Sequence, residues 1–227
     1  LAPEALLPAG LPSRASRRFA PRYSGICHLG LHLDVGEYRV DAASPLAGRT
    51  LADVRDREET GNPTTAAQMF HMLRREMIRP YRKPLVVMTP KSTLRRKISF
   101  STLDDLSDGT FRLVIGEEDS LDPEAVERVV LCSGKVYFDL LETRREQKLM
   151  NVALVRLEQL YPFPAEELTA ELKKFPKARE VCWAQEEPQN QGAWYSIQHA
   201  IRNTVQPEQT LYYAGRVAMA APAGGDY

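Results

Sequence analysis

Val129-Val130-Leu131-Cys132-Ser133-Gly134-Lys135-Val136-Tyr137-Phe138-Asp139-Leu140-Leu141 reads as a buried strand, a tight turn and the opening of a helix. Four apolar residues run without a break, as in a strand covered on both faces. Ser133-Gly134 then punctuates the chain. A helix is expected from about residue 135 to 147, burying Val136, Tyr137, Leu140 and Leu141. The next apolar run, 152–157, has the length of a second strand. Strand, helix and strand at this spacing imply a right-handed crossover and a parallel pair.

Working outward, the pattern repeats. A helix is expected over 164–175 with Leu168 and Leu172 inward, a strand over 181–184, a helix over 191–204 and a last strand over 211–214. Upstream, 111–115 reads as a strand, and the run 84–88 as a strand buried on both faces. Before it, Pro63 and a capping Thr64 or Thr65 open a helix. Ala66, Phe70, Leu73 and Met77 recur at helical spacing as its inward face, with Arg74, Arg75 and Arg79 on the more polar side. Residues 99–109 are mostly polar. The fold class expected is α/β: a Rossmann-like, mainly parallel sheet covered by helices.

The chain has 227 residues, with 30 basic and 30 acidic side chains, and is 43% apolar. That suits a globular protein, and zero net charge gives nucleic acid or an anionic membrane no overall reason to bind. No stretch reaches about 18 uninterrupted apolar residues, so no membrane span is expected. Cys27, Cys132 and Cys182 are scattered and form no C-x-x-C pair. A disulfide framework is therefore not expected, and a reducing cytoplasm is. No secretory leader is read at the start.

Residues 1–61 differ from the rest. They hold eight arginines and no lysine, against fourteen and eight in 62–227, and prolines at 3, 8, 12 and 21 interrupt any helix. From His28 to Val35 apolar residues alternate as in a short strand. His28 and His32 would share a face on a helix, but the alternation and Gly30 oppose one, and no metal site is expected. The segment is expected to be poorly ordered and foreign to the fold that follows. It is expected to be a frameshifted translation or unrelated sequence from a misplaced start, and its arginine bias fits a GC-rich gene read out of frame.

Ligands meet such sheets at the carboxyl ends of the strands. Three segments fall there: 89–92, 132–135 and 185–192. Ser133-Gly134-Lys135 resembles part of a phosphate loop but lacks its first glycine and the following Ser or Thr. Lys91, with Arg95 and Arg96 behind it, is a denser cationic group able to hold an anion. Glu186 and Glu187 are adjacent, so their side chains should diverge. No Ser-His-acid set can be assigned, His71 and His199 read as packing or surface residues, and no metal motif is present. Taken alone, the residues supply no catalytic group and no metal ligand set.

Longer segments carry a resemblance. N-P-T-T-A-A-Q-M-F-H-M-L-R-R (62–75), R-K-P-L-V-V-M-T-P-K-S-T-L-R-R (82–96), V-V-L-C-S-G-K-V-Y-F-D-L-L (129–141), V-A-L-V-R-L-E-Q-L-Y-P-F-P (152–164), Q-E-E-P-Q-N-Q-G-A-W (185–194) and Y-A-G-R (213–216) are collinear with the C-terminal portion of 2-oxoglutarate dehydrogenase. This family is the thiamine-diphosphate-dependent first component of the oxoglutarate dehydrogenase complex. The resemblance implies that 62–98 form the end of a pyrimidine-binding domain. It makes 99–227 the C-terminal domain, of the transketolase C-terminal-domain kind. In the intact family it further implies thiamine diphosphate and magnesium, a homodimer, and dihydrolipoyl succinyltransferase as partner. The activity implied is oxidative decarboxylation of 2-oxoglutarate with transfer of succinyl to lipoamide. The location would be the cytoplasm, or the mitochondrial matrix in a eukaryote.

The family's G-D-G cofactor motif is absent, the chain having Ser107-Asp108-Gly109 but no G-D-G, and the family's E-G-Q-G-P-E-H-S-S segment is missing before residue 62. The chain is therefore expected to be an inactive fragment, short of the family at both ends. The residues carried over to an effector site for acetyl-coenzyme A or a nucleotide are Arg75, Lys91, Arg95 and Gln191. The alternative is a non-catalytic α/β module that binds an acyl-coenzyme A or nucleotide.

Overall fold

Residues 59–80 and 84–220 are the part of the chain that the computed structural model describes. The alternation near 28–35, Cys27, the His28 and His32 pair, and Asp226-Tyr227 lie outside the described residues. In chain order the elements are β1 (Glu59–Gly61), α1 (Ala66–Ile78), β2 (Leu85–Val87), two 3-10 turns (Lys91–Arg95 and Lys97–Ser99), α2 (Leu103–Ser107) and β3 (Val114–Ile115). There follow β4 (Arg128–Cys132), α3 (Val136–Gln147), β5 (Val152–Leu157), β6 (Gln159–Tyr161), α4 (Ala165–Leu172), β7 (Glu180–Pro188), α5 (Trp194–Thr204) and β8 (Thr210–Arg216).

The main sheet runs β3-β5-β4-β7-β8. β5, β4, β7 and β8 are parallel, and β3 is an antiparallel edge strand on β5. The α/β reading therefore holds, with a sheet that is mixed rather than purely parallel. β4 is central, and successive residues along it point to opposite faces. Val129 and Leu131 join Leu168 and Leu172 of α4 and Ile197 and Ile201 of α5 in one core. Val130 and Cys132 join Tyr137, Phe138 and Leu141 of α3 in the other. Burial on both faces explains the unbroken apolar run with which the strand announces itself.

A second, three-stranded sheet runs β2-β1-β6, with β1 parallel to β2 and antiparallel to β6. It joins residues on both sides of the boundary expected at 98/99, and Glu59–Gly61 belong to it although the seam was expected after residue 61. The β1, β6 and α2 elements escaped the sequence because each is three to five residues long, too short for a period to show.

The largest correction concerns α1. Thr65 caps it, accepting from the Gln68 amide at 3.3 Å. Its buried residues, however, are Ala67, Gln68, His71 and Met72. The expected inward stripe faces outward: Ala66 is exposed, as are Phe70, Leu73 (49%) and Met77 (69%). The reason lies in what the helix packs on. The end of α2 and the irregular stretch 108–112 after it carry backbone groups that need partners. Gln68 donates to the Arg112 carbonyl at 2.8 Å and accepts from the Arg112 amide at 3.2 Å, while the His71 ring bonds the Asp105 carbonyl at 2.7 Å. The 84–88 run also differs from expectation. β2 is a half-buried edge strand, not one buried on both faces. In α3, Tyr137, Phe138, Leu141 and Arg144 are the buried residues, whereas Val136 and Leu140 are partly buried.

Candidate functional site

β5 lies on one side of β4 and β7 on the other, so the strand order reverses there, and the crevice at their carboxyl ends is where an open α/β sheet takes ligands. Here the crevice is filled by the chain itself. Gly134 turns the chain out of β4 with φ of 75°, a conformation natural to glycine. A Cβ at this position would run into the Asn62 side chain. The Asn62 amide is satisfied with its nitrogen donating to the Met88 carbonyl at 2.5 Å and its oxygen accepting from the Gly134 amide and Ser133 Oγ, both at 3.3 Å. Ser133 Oγ also donates to the Leu157 carbonyl at 2.7 Å. Lys135 pairs with Glu186 and lies 3.5 Å from Asp139, and the Glu186 contact raises the Lys135 pKa. The turn that resembles a phosphate loop is thus closed by internal partners.

Beneath Asn62 sits a buried polar network. Glu158 accepts from the Thr64 amide at 2.8 Å and from the Thr64 hydroxyl. Burial pushes its carboxyl pKa up, while nearby Arg156 and the Thr64 donors oppose that shift. Arg156 donates to Thr64 Oγ1 at 2.9 Å, pairs with Glu118 at 2.8 Å and stacks 4.1 Å from the Tyr137 ring. Thr64 was read as a capping candidate; its chemistry is to tie residues 62–65 to the end of β5. The signal available in sequence was the charged Arg156 and Glu158 flanking Leu157 where a buried strand ends.

The third expected ligand loop, 185–192, is also organised from within. Gln185 accepts from Trp183 Nε1 at 2.9 Å and from the Trp194 amide at 3.1 Å. It donates to the carbonyls of Glu187, Pro188 and Gln191 at 3.2, 3.1 and 2.8 Å. Gly192, with φ of 64°, closes the loop against Gln185 and Glu187. Asn190 exchanges two hydrogen bonds with the Met219 backbone, at 2.8 and 2.9 Å. Glu186 turns to Lys135.

The four residues expected at an effector site stand in different surroundings. Arg75 donates to Glu59 at 2.7 Å and Gln159 at 2.9 Å, and stacks 4.4 Å from the Phe111 ring. Lys91 and Arg95 lie exposed on the first 3-10 turn. Gln191 donates to the Met219 carbonyl at 3.4 Å. Arg96, read beside them as part of a cationic group, instead bonds Asp139 and Glu142 across to α3 at 2.8 and 3.1 Å. His71 is a buried packing residue.

Among the described residues no three His, Cys, Asp or Glu side chains converge to hold a metal ion. With the switch-point crevice filled by Asn62, the described residues do not fit a magnesium-bound diphosphate cofactor. No described helix is long and apolar enough to cross a membrane. Cys132 is fully buried, which pushes its thiol up to about 12 and keeps it protonated.

Comparison with known proteins points one way. The family model for the 2-oxoglutarate dehydrogenase C-terminal region matches residues 100–227. The 2-oxoglutarate dehydrogenase E1 component of Coxiella burnetii is 56% identical over 165 residues, covering 72% of this chain and 18% of the relative. That of Azotobacter vinelandii is 57% identical over 166 residues, with the same two coverages. The Brucella ovis E1 component is 40% identical over 218 residues, covering 90% of this chain and 22% of its own length. That last match is longer than residues 62–227 can supply, so the likeness extends upstream of residue 62, where the sequence reading expected none. The chain spans about a fifth of the length of these relatives. With more than half of its residues matched by the family model, this chain belongs to the 2-oxoglutarate dehydrogenase C-terminal family.

Proposed function

We propose that the chain is the C-terminal part of a thiamine-diphosphate-dependent 2-oxoglutarate dehydrogenase E1 component and acts as a structural and dimerisation unit of it. In this reading residues 62–98 close a pyrimidine-binding domain and 99–227 form the C-terminal domain. The complete enzyme would work in the cytoplasm as a homodimer. It would decarboxylate 2-oxoglutarate and pass succinyl to the lipoyl group of dihydrolipoyl succinyltransferase, the cofactor supplying the chemistry. The observation that carries the structural role is the crevice closed by Asn62, Thr64 and Glu158. The outward stripe of Ala66, Phe70, Leu73 and Met77 fits the same reading, because a longer E1 chain has surface with which to cover it. Release of carbon dioxide from 2-oxoglutarate, assayed with the chain, thiamine diphosphate and magnesium, should stay at the no-protein background. Turnover above background would sink the structural reading.

A second reading, an effector module for an acyl-coenzyme A or nucleotide, draws on the exposure of Lys91 and Arg95. Arg75 and Gln191 would join such a site only by leaving Glu59 and Met219. Titration with acetyl-coenzyme A and with AMP tests it: binding should weaken at least about tenfold when Lys91 is changed to Ala, and equal binding by the variant excludes this site.

A further inference from the structure

A cavity of about 640 Å³ is lined by α1, segment 98–112 and α3, and meets the network that closes the switch-point crevice at Thr65 and Arg156. One end is cationic and hydrogen-bonding. Arg156 lies in its floor, with its side chain 2% exposed and its Nε without a hydrogen-bond partner. Beside it are the Tyr137 hydroxyl and Arg112. All three turn to one group, the Glu118 carboxylate. Arg156 reaches it at 2.8 Å, the Tyr137 hydroxyl donates to it at 3.0 Å, and Arg112 lies 3.9 Å away. The lining also holds the apolar Ile98, Phe100 and Phe138, and the carboxylates Asp105 and Asp108 on the 98–112 segment.

The two partners in this contact are unequally held. A guanidinium buried as deeply as that of Arg156 requires an anion, since an unpaired charge there would be costly. Glu118 is 46% exposed and sits after the two-residue edge strand β3, so its carboxylate can withdraw into water at little cost. Of the two carboxylates near Arg156, the one in direct contact is therefore the more weakly fixed; the buried Glu158 lies one hydroxyl further, bridged by Thr64 Oγ1. With Glu118 withdrawn, guanidinium and phenol donors would converge on the empty position, in the geometry that suits a carboxylate or phosphate.

We infer that this cavity is a binding site for a small organic anion, and that Glu118 is its internal stand-in, occupying the place of the ligand's acidic head. The head group exchanges with the Glu118 carboxylate on Arg156 and Tyr137, and a flat apolar body lies along Ile98, Phe100 and Phe138. Because Glu118 is tethered, it competes at high effective concentration, so the native chain binds weakly and loss of the carboxylate exposes the site. This inference is independent of the E1 reading.

Isothermal titration of the full chain with benzoate, and separately with inorganic phosphate at fixed ionic strength, provides the test. Glu118→Gln should bind one of the two at least about tenfold more tightly than the native chain, and adding Tyr137→Phe and Arg112→Ala should abolish the gain. Tighter benzoate identifies a carboxylate with an apolar body, and tighter phosphate identifies a phosphate head. Glu118→Ala, with its fold checked by circular dichroism, serves as the second variant. If neither Glu118 variant binds more tightly than the native chain, or if the gain survives loss of Tyr137 and Arg112, the inference is wrong.

Discussion

Asp119 shows how one side chain contributes pH-dependent stability to this fold. It accepts from Arg144 at 2.6 Å and from both Arg145 nitrogens at 2.6 and 2.9 Å. The Arg145 hydrogen bonds, ahead of those from Arg144, hold its carboxyl at about 2. An ordinary aspartate titrates near 3.9, so as pH falls the unfolded chain takes up the proton first. The contribution of Asp119 is therefore complete above about pH 4 and is lost as pH falls toward 2. Asp119→Asn should be less stable than the native chain at pH 6, with the difference narrowing steadily below pH 4 and mostly gone by pH 2 in urea melts. A gap that stays constant over that range would rule out this role. Gln185 makes a different point at the same scale. A polar residue near a strand end in a Gln/Glu-rich segment invites a binding assignment, yet its side chain is taken up by Trp183, Trp194 and the carbonyls of its own loop. Sequence shows that Gln185 is polar and near the sheet's carboxyl edge; it does not show that Trp183 and Trp194 will be its partners, because those contacts exist only after the loop has folded.

At the scale of elements, what could be read in advance was what repeats. β4, α3, β5, α4, β7, α5 and β8 all lie where apolar runs and helical periods put them, because each is long enough to bury a face against a neighbour. α1 has an equally clear period, and its position was found while its orientation was inverted. Periodicity reports which residues share a face; the surface that face meets is decided by tertiary structure. Here α2, the irregular stretch 108–112 and the Gln159 carboxamide take the side bearing Gln68, His71 and Arg75. Two alanine substitutions on adjacent residues separate the orientations. Met72 is fully buried, so Met72→Ala should destabilise the chain by about 2–5 kcal/mol. Leu73→Ala, on the outward face, should stay within about 0.5 kcal/mol of the native chain. Denaturant melts showing the reverse order would restore the inward stripe.

For the molecule as a whole, the parallel order β5-β4-β7-β8 makes a switch-point crevice, and residues 61–65 close it. The first fact was legible, since alternation of strands and helices leaves few topologies open. The second was not, because Asn62 and Gly134 are 72 positions apart and nothing in either local pattern links them. The candidate effector residues failed to cluster for the same reason: proximity to strand ends is a property of each residue alone, whereas a site requires several to converge. Family membership rests on long collinear matches, and the structure adds why the matched turns hold their shape without a ligand. The central claim is that this chain is a folded C-terminal unit whose described residues leave no room for the E1 cofactor at the switch point. Thermal melting with and without thiamine diphosphate and magnesium tests it most directly, since a ligand that binds the native state raises the melting temperature. The account predicts an unchanged melting temperature, and a rise that grows with thiamine diphosphate concentration would contradict it.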